Sequence, residues 1–193
     1  SLTKDENKDD YDFTIGNEDV KIRARWVEGD FVARIQDKKF TTIQDAFDAA
    51  SNPIYSADNT VHLLRSTTEW PVNNTNVPFV FNLEGYTVTG RITNNANGNL
   101  TLINGIVQEQ NNDSNDDIEG ALINKGVFSL GIDDGLVEVE NSIALKGNKV
   151  GLVTVKDDNH YFNFYDGFIE GDVAYVGKYV GHPRDYYVFI NDI

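Results

Sequence analysis

The chain has 193 residues, and 31 acidic against 16 basic side chains leave a net charge of −15. With 40% apolar and 11% aromatic residues it can build a sizeable core, which excludes a disordered acidic tail, and without cysteine it has no disulfide framework, thiolate zinc site or cysteine nucleophile. So acidic a surface repels phosphate backbones and anionic lipid, which argues against nucleic acid and membrane surfaces as partners and leaves neutral glycans, proteins and cations.

Residues 1–10 (SLTKDENKDD) are charged and nearly free of apolar side chains, which predicts a solvated, disordered arm ahead of a single domain over 11–193. From Tyr11 the pattern changes: Phe13, Ile15, Val20, Ile22, Ala24 and Trp26 alternate with polar residues as in a half-buried strand. Glu28-Gly29-Asp30 then turns the chain into a second strand, Phe31 to Ile35, so that 11–40 forms an entry hairpin. Ile43, Ala46, Phe47 and Ala50 share one face at helical spacing and predict a helix over about 42–50. Thr41 and Gln44 offer a capping box, and Ser51-Asn52-Pro53 ends the helix.

Beyond residue 59 an apolar, any, apolar pattern recurs at Val61-His62-Leu63, Phe81-Asn82-Leu83, Leu100-Thr101-Leu102, Phe128-Ser129-Leu130 and Phe162-Asn163-Phe164. Leu100–Gln108 and Phe162–Glu170 match class for class at all nine positions. Short strands followed by Gly or Asn turns at a repeat near 20 residues predict a parallel β-solenoid over 59–170. In it Val61, Phe81, Leu100, Phe128 and Phe162 form one inner stack, with roughly 4.8 Å between neighbours. Glycine and asparagine suit the corners because both tolerate left-handed backbone. The polar tract 111–117 projects as a loop, the helix covers the first coil, and 171–193 closes the other end. The alternative fold is a lectin-like β-sandwich, which also consists of short strands and turns.

The succession Phe40-Thr-Thr-Ile-Gln-Asp-Ala-Phe-Asp-Ala-Ala50, Thr60-Val-His-Leu-Leu64, Phe81-Asn-Leu-Glu-Gly-Tyr-Thr-Val-Thr-Gly90, Gly98-Asn-Leu-Thr-Leu-Ile-Asn-Gly105 and Phe162-Asn-Phe-Tyr-Asp-Gly167 resembles the pectate-lyase-like β-helix module of bacterial, Gram-positive type surface and secreted proteins. The resemblance covers roughly residues 33–170. It implies an all-β fold, a short single-stranded right-handed parallel β-helix, and an extracellular or cell-surface address. No export signal stands in the sequence itself.

Enzymes of this kind use grouped carboxylates to hold calcium or to act as an acid and base pair. The doublets Asp116-Asp117, Asp133-Asp134 and Asp157-Asp158 supply candidates, with Asp133, Asp134, Asp157, Asp158, His182 and Arg184 as the alternative catalytic set; solvated turn residues are the plainer reading. Gly131-Ile-Asp-Asp134 with Gly181-His182 and Arg184 is similar to pieces of the polygalacturonase pattern, but the gap from Asp134 to His182 is 182 − 134 = 48 residues, longer than one coil. The pectate lyases' Trp-Ile-Asp-His element is absent from the sequence. Asp113, Asn115, Asp117 and Glu119 alternate like the ligands of an EF-hand and define an alternative, weak Ca²⁺ site; Ile118 at the glycine position and Asn124 at the closing glutamate position favour a metal-free loop and no cofactor. Tyr165, Tyr175, Tyr179, Tyr186 and Tyr187 are candidate ligand-binding residues, although a solenoid end cap also needs large aromatics.

These features predict a non-catalytic extracellular module, a monomeric part of a larger surface protein, acting as adhesin, spacer, or a surface for a glycan or a host or cell-surface protein. The alternative is a lyase or glycoside hydrolase acting on acidic polysaccharide through the Asp doublets.

Overall fold

A computed structural model describes residues 2–4, 11–13, 30–110, 120–132, 143–154 and 161–177, apart from the side chains of 2–4, 11–13 and Tyr175. The chain divides into two units, Ser1–Asp30 and Phe31–Ile193. In the first, strand β1 (Leu2–Lys4) pairs antiparallel with β2 (Tyr11–Phe13), so the predicted arm contains a strand. The pairing, with Thr3 opposite Asp12, is made by backbone groups and so needs no apolar side chains. Most of the predicted strand from Phe13 to Trp26 lies outside the described residues.

The second unit opens with β3 (Ala33–Ile35), which pairs antiparallel with β4 (Lys38–Phe40). Helix α1 (Ile43–Ala50) follows and buries Ile43, Ala46, Phe47 and Ala50, the predicted face. Its N-cap is Thr42, not Thr41: the Thr42 hydroxyl accepts from the Asp45 N–H at 3.0 Å. The one-residue change has a cause and a consequence. Starting at Ile43 moves Gln44 out of the capping-box position, and its amide is engaged elsewhere. A single 3-10 turn (Pro53–Tyr55) then leads into the sheets.

From residue 61 the strands come in five successive triplets. They are β5 (Val61–Leu63), β6 (Thr67–Glu69) and β7 (Val72–Asn73); β8 (Phe79–Asn82), β9 (Thr87–Gly90) and β10 (Ile92–Asn94); β11 (Asn99–Ile103), β12 (Ile106–Gln108) and β13 (Leu122–Asn124); β14 (Val127–Leu130), β15 (Ala144–Lys146) and β16 (Val150–Thr154); and β17 (Tyr161–Phe164), β18 (Phe168–Glu170) and β19 (Val173–Val176). First members pair with first members, second with second and third with third, always in parallel, which gives three parallel arrays. The first array is extended by β3, antiparallel to β5, and by β4. The described residues are thus mostly β-strand in parallel sheets, with one α-helix among them. Because β19 pairs with β16, the parallel arrangement runs to Val176, past residue 170, where the closing segment was expected.

In β8, β11 and β14 every second residue is buried, and register stacks the buried residues of successive triplets into columns. In the first array Phe79, Leu100, Phe128 and Phe162 form one column; Val61, Phe81, Leu102, Leu130 and Phe164 form the other. The predicted single stack therefore corrects to two, since Phe81 lies beside Leu102 and Phe79 beside Leu100. A slip of two residues preserves which face each side chain takes, so hydrophobic alternation alone cannot detect it. Leu100 and Phe128 are direct neighbours, and the Phe128 and Phe162 rings stack with centroids 5.7 Å apart. Val88, Val107 and Leu145 line the second array, and Ile92, Leu122 and Leu152 the third. At the N-terminal end Phe47 meets Phe79 and Phe81 edge-on, at 5.0 and 5.1 Å, and α1 covers the columns.

Candidate functional site

The third array ends its strands on a polar column inside the core. Asn73, Asn94 and Asn124 are fully buried and aligned by register, with Thr154 next in line. The Asn73 amide donates to Asn94 Oδ1 at 2.8 Å, and the Asn94 amide donates to Asn124 Oδ1 at 2.8 Å and to the Val127 carbonyl at 2.9 Å. The Asn124 amide reaches the Tyr161 carbonyl at 3.0 Å. Asn73 Oδ1 and Asn124 Oδ1 hold the turns that follow, accepting from Thr75 N–H (3.0 Å) and Gly126 N–H (3.1 Å) respectively. A side-chain amide is both donor and acceptor, so a column of asparagines can satisfy itself where a column of leucines would leave turn N–H groups bare. Gly98 makes the packing feasible: a Cβ there would lie 2.2 Å from Asn94 Oδ1 and 2.9 Å from Asn73 Nδ2.

Outside this ladder the sequence repeats itself: Asn73-Asn74-Thr75-Asn76 and Asn94-Asn95-Ala96-Asn97 follow the pattern Asn-Asn-x-Asn. The first asparagine of each goes inside, and the second ones bond to each other on the surface, Asn95 Nδ2 to Asn74 Oδ1 at 2.7 Å. The last ones, Asn76 and Asn97, face a shallow depression of about 470 Å³ whose other walls are Asp48, Ser51, Asn74 and Thr75. Every lining side chain carries an amide, hydroxyl or carboxylate. This depression between the end of α1 and two stacked turns is the candidate site.

The helix that forms one wall is fixed to the third array. Gln44 Nε2 donates to the Val72 carbonyl at 3.0 Å while Gln44 Oε1 accepts from the Val72 N–H at 2.8 Å. The side chain thereby imitates a further strand along β7, the edge of its sheet, and blunts that edge. Glu69 completes the junction by accepting from the Ile43 N–H at 2.7 Å, where the helix N-terminus favours a negative charge. Gln44 also donates to Asp48 Oδ1 at 2.9 Å, which orients the site's one carboxylate.

A second polar cluster sits where the second array hands over to the third. Glu109, 7% exposed, accepts from Gly120 N–H at 2.9 Å, Asn148 N–H at 2.8 Å and Arg91 Nη2 at 3.2 Å, and Arg91 Nε donates to the Gly120 carbonyl at 3.0 Å. One carboxylate therefore ties together the second, third and fourth triplets at the base of the 111–119 segment. With both oxygens so engaged, Glu109 works as a clamp.

Of the residues singled out from sequence, Asp113, Asn115, Asp117, Glu119, Asp133, Asp134, Asp157, Asp158, Tyr179, His182, Arg184, Tyr186 and Tyr187 lie outside the described residues. Tyr175 belongs to β19, and Tyr165, half-buried, follows β17, remote in sequence from the residues lining the depression. Sequence reasoning missed the ladder, the Gln44 bridge and the Glu109 clamp. The doubled Asn-Asn-x-Asn motif is the sequence signal for the first; a corner role, expected for asparagine in general, does not cover Asn73, Asn94 and Asn124, which are buried.

Among the described residues no group of three or more His, Cys, Asp or Glu side chains could hold a metal ion, and no helix is long and apolar enough to cross a membrane. Comparison with protein-family models, curated proteins and solved structures finds no match to this chain.

Proposed function

We propose that this chain is a single-stranded right-handed parallel β-helix, and that it serves as a non-catalytic module of a bacterial surface protein, a stiff support that presents a binding flank. The observation that carries this reading is the continuity of five triplets over three parallel arrays, with a hydrogen-bonded asparagine ladder running through the inside. A chain that returns to each sheet by way of the other two makes a crossover between parallel strands, and such crossovers are right-handed in the great majority of proteins. The columns of phenylalanine and leucine, together with the ladder, resist shear between neighbouring triplets because sliding breaks both packing and amide bonds at once. The resemblance to pectate-lyase-like modules supports the extracellular address and the role as adhesin, spacer or glycan- or protein-binding surface.

The test is a paired assay on the 193-residue chain: immobilised glycan panels read for binding, and polygalacturonate and other uronate polymers read for new reducing ends or unsaturated uronate. Retention on a neutral glycan without product release is the expected result. Sustained, enzyme-proportional cleavage would overturn the module reading and favour a lyase or hydrolase acting on acidic polysaccharide.

A further inference from the structure

We infer that the depression walled by α1 and the Asn73 and Asn94 turns is a binding site for an uncharged, polyhydroxylated ligand, a segment of neutral glycan; the inference rests on the module reading above and names the ligand class of its flank. The lining is Asp48, Ser51, Asn74, Thr75, Asn76 and Asn97, and its volume of about 470 Å³ falls within the range of small-molecule sites.

The ligand class follows from the groups present. Asn76 and Asn97 are exposed, and no side-chain hydrogen bond within the described residues occupies either amide. Each amide offers donors and an acceptor side by side, the complement of a vicinal diol, in which each hydroxyl can both give and take a proton. No lysine or arginine lines the site, one carboxylate does, and the chain carries a net charge of −15, so a uronate or phosphate is repelled. A hard cation requires about six oxygen ligands with several carboxylates among them, and Asp48 alone cannot supply these.

The frame is preorganised. Asn97 holds left-handed backbone at φ 70°, and Gly98 N–H is bonded to the Asn95 carbonyl at 2.8 Å. On the other turn Thr75 N–H is held by Asn73 and Val77 N–H by the Thr75 hydroxyl, at 3.0 and 3.1 Å. Both turns are anchored on the buried ladder, so little loop entropy is lost on binding. Without an aromatic platform the affinity rests on hydrogen bonds that compete with water, and binding is millimolar at a single site. Attachment of many copies to one surface raises the effective strength.

The experiment is an amide NMR titration of the full chain with cellotetraose, xylotetraose and maltotetraose, with tetragalacturonate as the charged counterpart. At least one neutral tetrasaccharide shifts the backbone amides of Asn74, Asn76 and Asn97, and tetragalacturonate does not. The double variant Asn76→Ala/Asn97→Ala keeps the parent melting temperature and binds roughly fivefold to hundredfold more weakly, the loss expected for two neutral hydrogen bonds. Unchanged affinity in that variant, shifts confined to other surfaces, no binding of any neutral tetrasaccharide, or preference for tetragalacturonate each overturns the inference. These failures are distinct from failure of the module reading, which only catalysed cleavage of a polymer would show.

Discussion

Replacing Asn94 by alanine isolates the contribution of the buried ladder. The wild-type side chain accepts from Asn73 and donates to Asn124 Oδ1 and the Val127 carbonyl, all at 2.8–2.9 Å, the two asparagine bonds fully buried and the third partly so. Each bond contributes about 1 kcal/mol net, and an amide left buried without a partner costs about 1–3 kcal/mol. Asn124 Oδ1 keeps its bond from Gly126 N–H, whereas the Asn73 amide is orphaned. The sum, with overlap between these contributions, is about 3–5 kcal/mol, a large part of the ~5–15 kcal/mol that holds a domain folded. Urea denaturation followed by circular dichroism reads it directly: with a slope of about 2 kcal/mol per molar, the midpoint falls by about 1.5–2.5 M. Asn95→Ala is the control. It removes one surface bond to Asn74 and lowers stability by about 0.5–1 kcal/mol or less. If the two variants show equal midpoints, the amide column does not act as a cooperative element, and the rigidity argued for the stack fails with it.

Three further outcomes follow from the same structure. Glu109→Ala leaves the Gly120 and Asn148 N–H groups and the Arg91 guanidinium without their carboxylate and lowers stability by about 3–5 kcal/mol; hydrogen exchange at Gly120 and Asn148, which lose their acceptor outright, accelerates more than at the amides of the strand columns, and equal acceleration at all of them would show that the clamp is not local. Thr154 ends the ladder with a buried hydroxyl that has no hydrogen-bond partner among the described residues, so Thr154→Val, nearly the same shape without the hydroxyl, leaves the melting temperature unchanged or raises it; a drop of several degrees contradicts this. The Thr60 backbone N–H, with its hydroxyl, holds the Asp58 carboxyl below its ordinary pKa of 3.8. A depressed folded-state pKa gives stability that is present above the unfolded-state pKa and is lost as pH falls through the folded-state value. The gap in melting temperature between parent and Asp58→Ala is therefore small but constant near neutrality and closes in acid below the ordinary carboxylate range. A gap that widens there instead would reverse the assignment.

The local elements were legible because their signals are local. Ile43, Ala46, Phe47 and Ala50 fix a helix face by spacing alone, and Val61-His62-Leu63 or Phe162-Asn163-Phe164 fix a strand face by alternation. The match between Leu100–Gln108 and Phe162–Glu170 correctly paired segments that occupy the same two arrays two triplets apart, β11 and β12 against β17 and β18. Register was less legible. Phe79 and Phe81 both point inward, and the choice of which one meets Leu100 depends on how the intervening turns close.

Composition and periodicity thus determined by themselves that the chain builds short strands, the amphipathic helix α1 and a repeat near 20 residues, since each follows from the side chains of a few neighbours. Tertiary structure alone decided the fate of the polar residues. Asn73 and Asn74 are chemically identical neighbours, yet one is sealed in the ladder and the other lines a surface depression. The partners of Glu109 come from positions 91, 120 and 148, a set no window of sequence contains. A hydrophobic face is specified by the residue's own aversion to water, whereas a buried polar group is specified by its partners, and those partners exist only once the triplets have stacked.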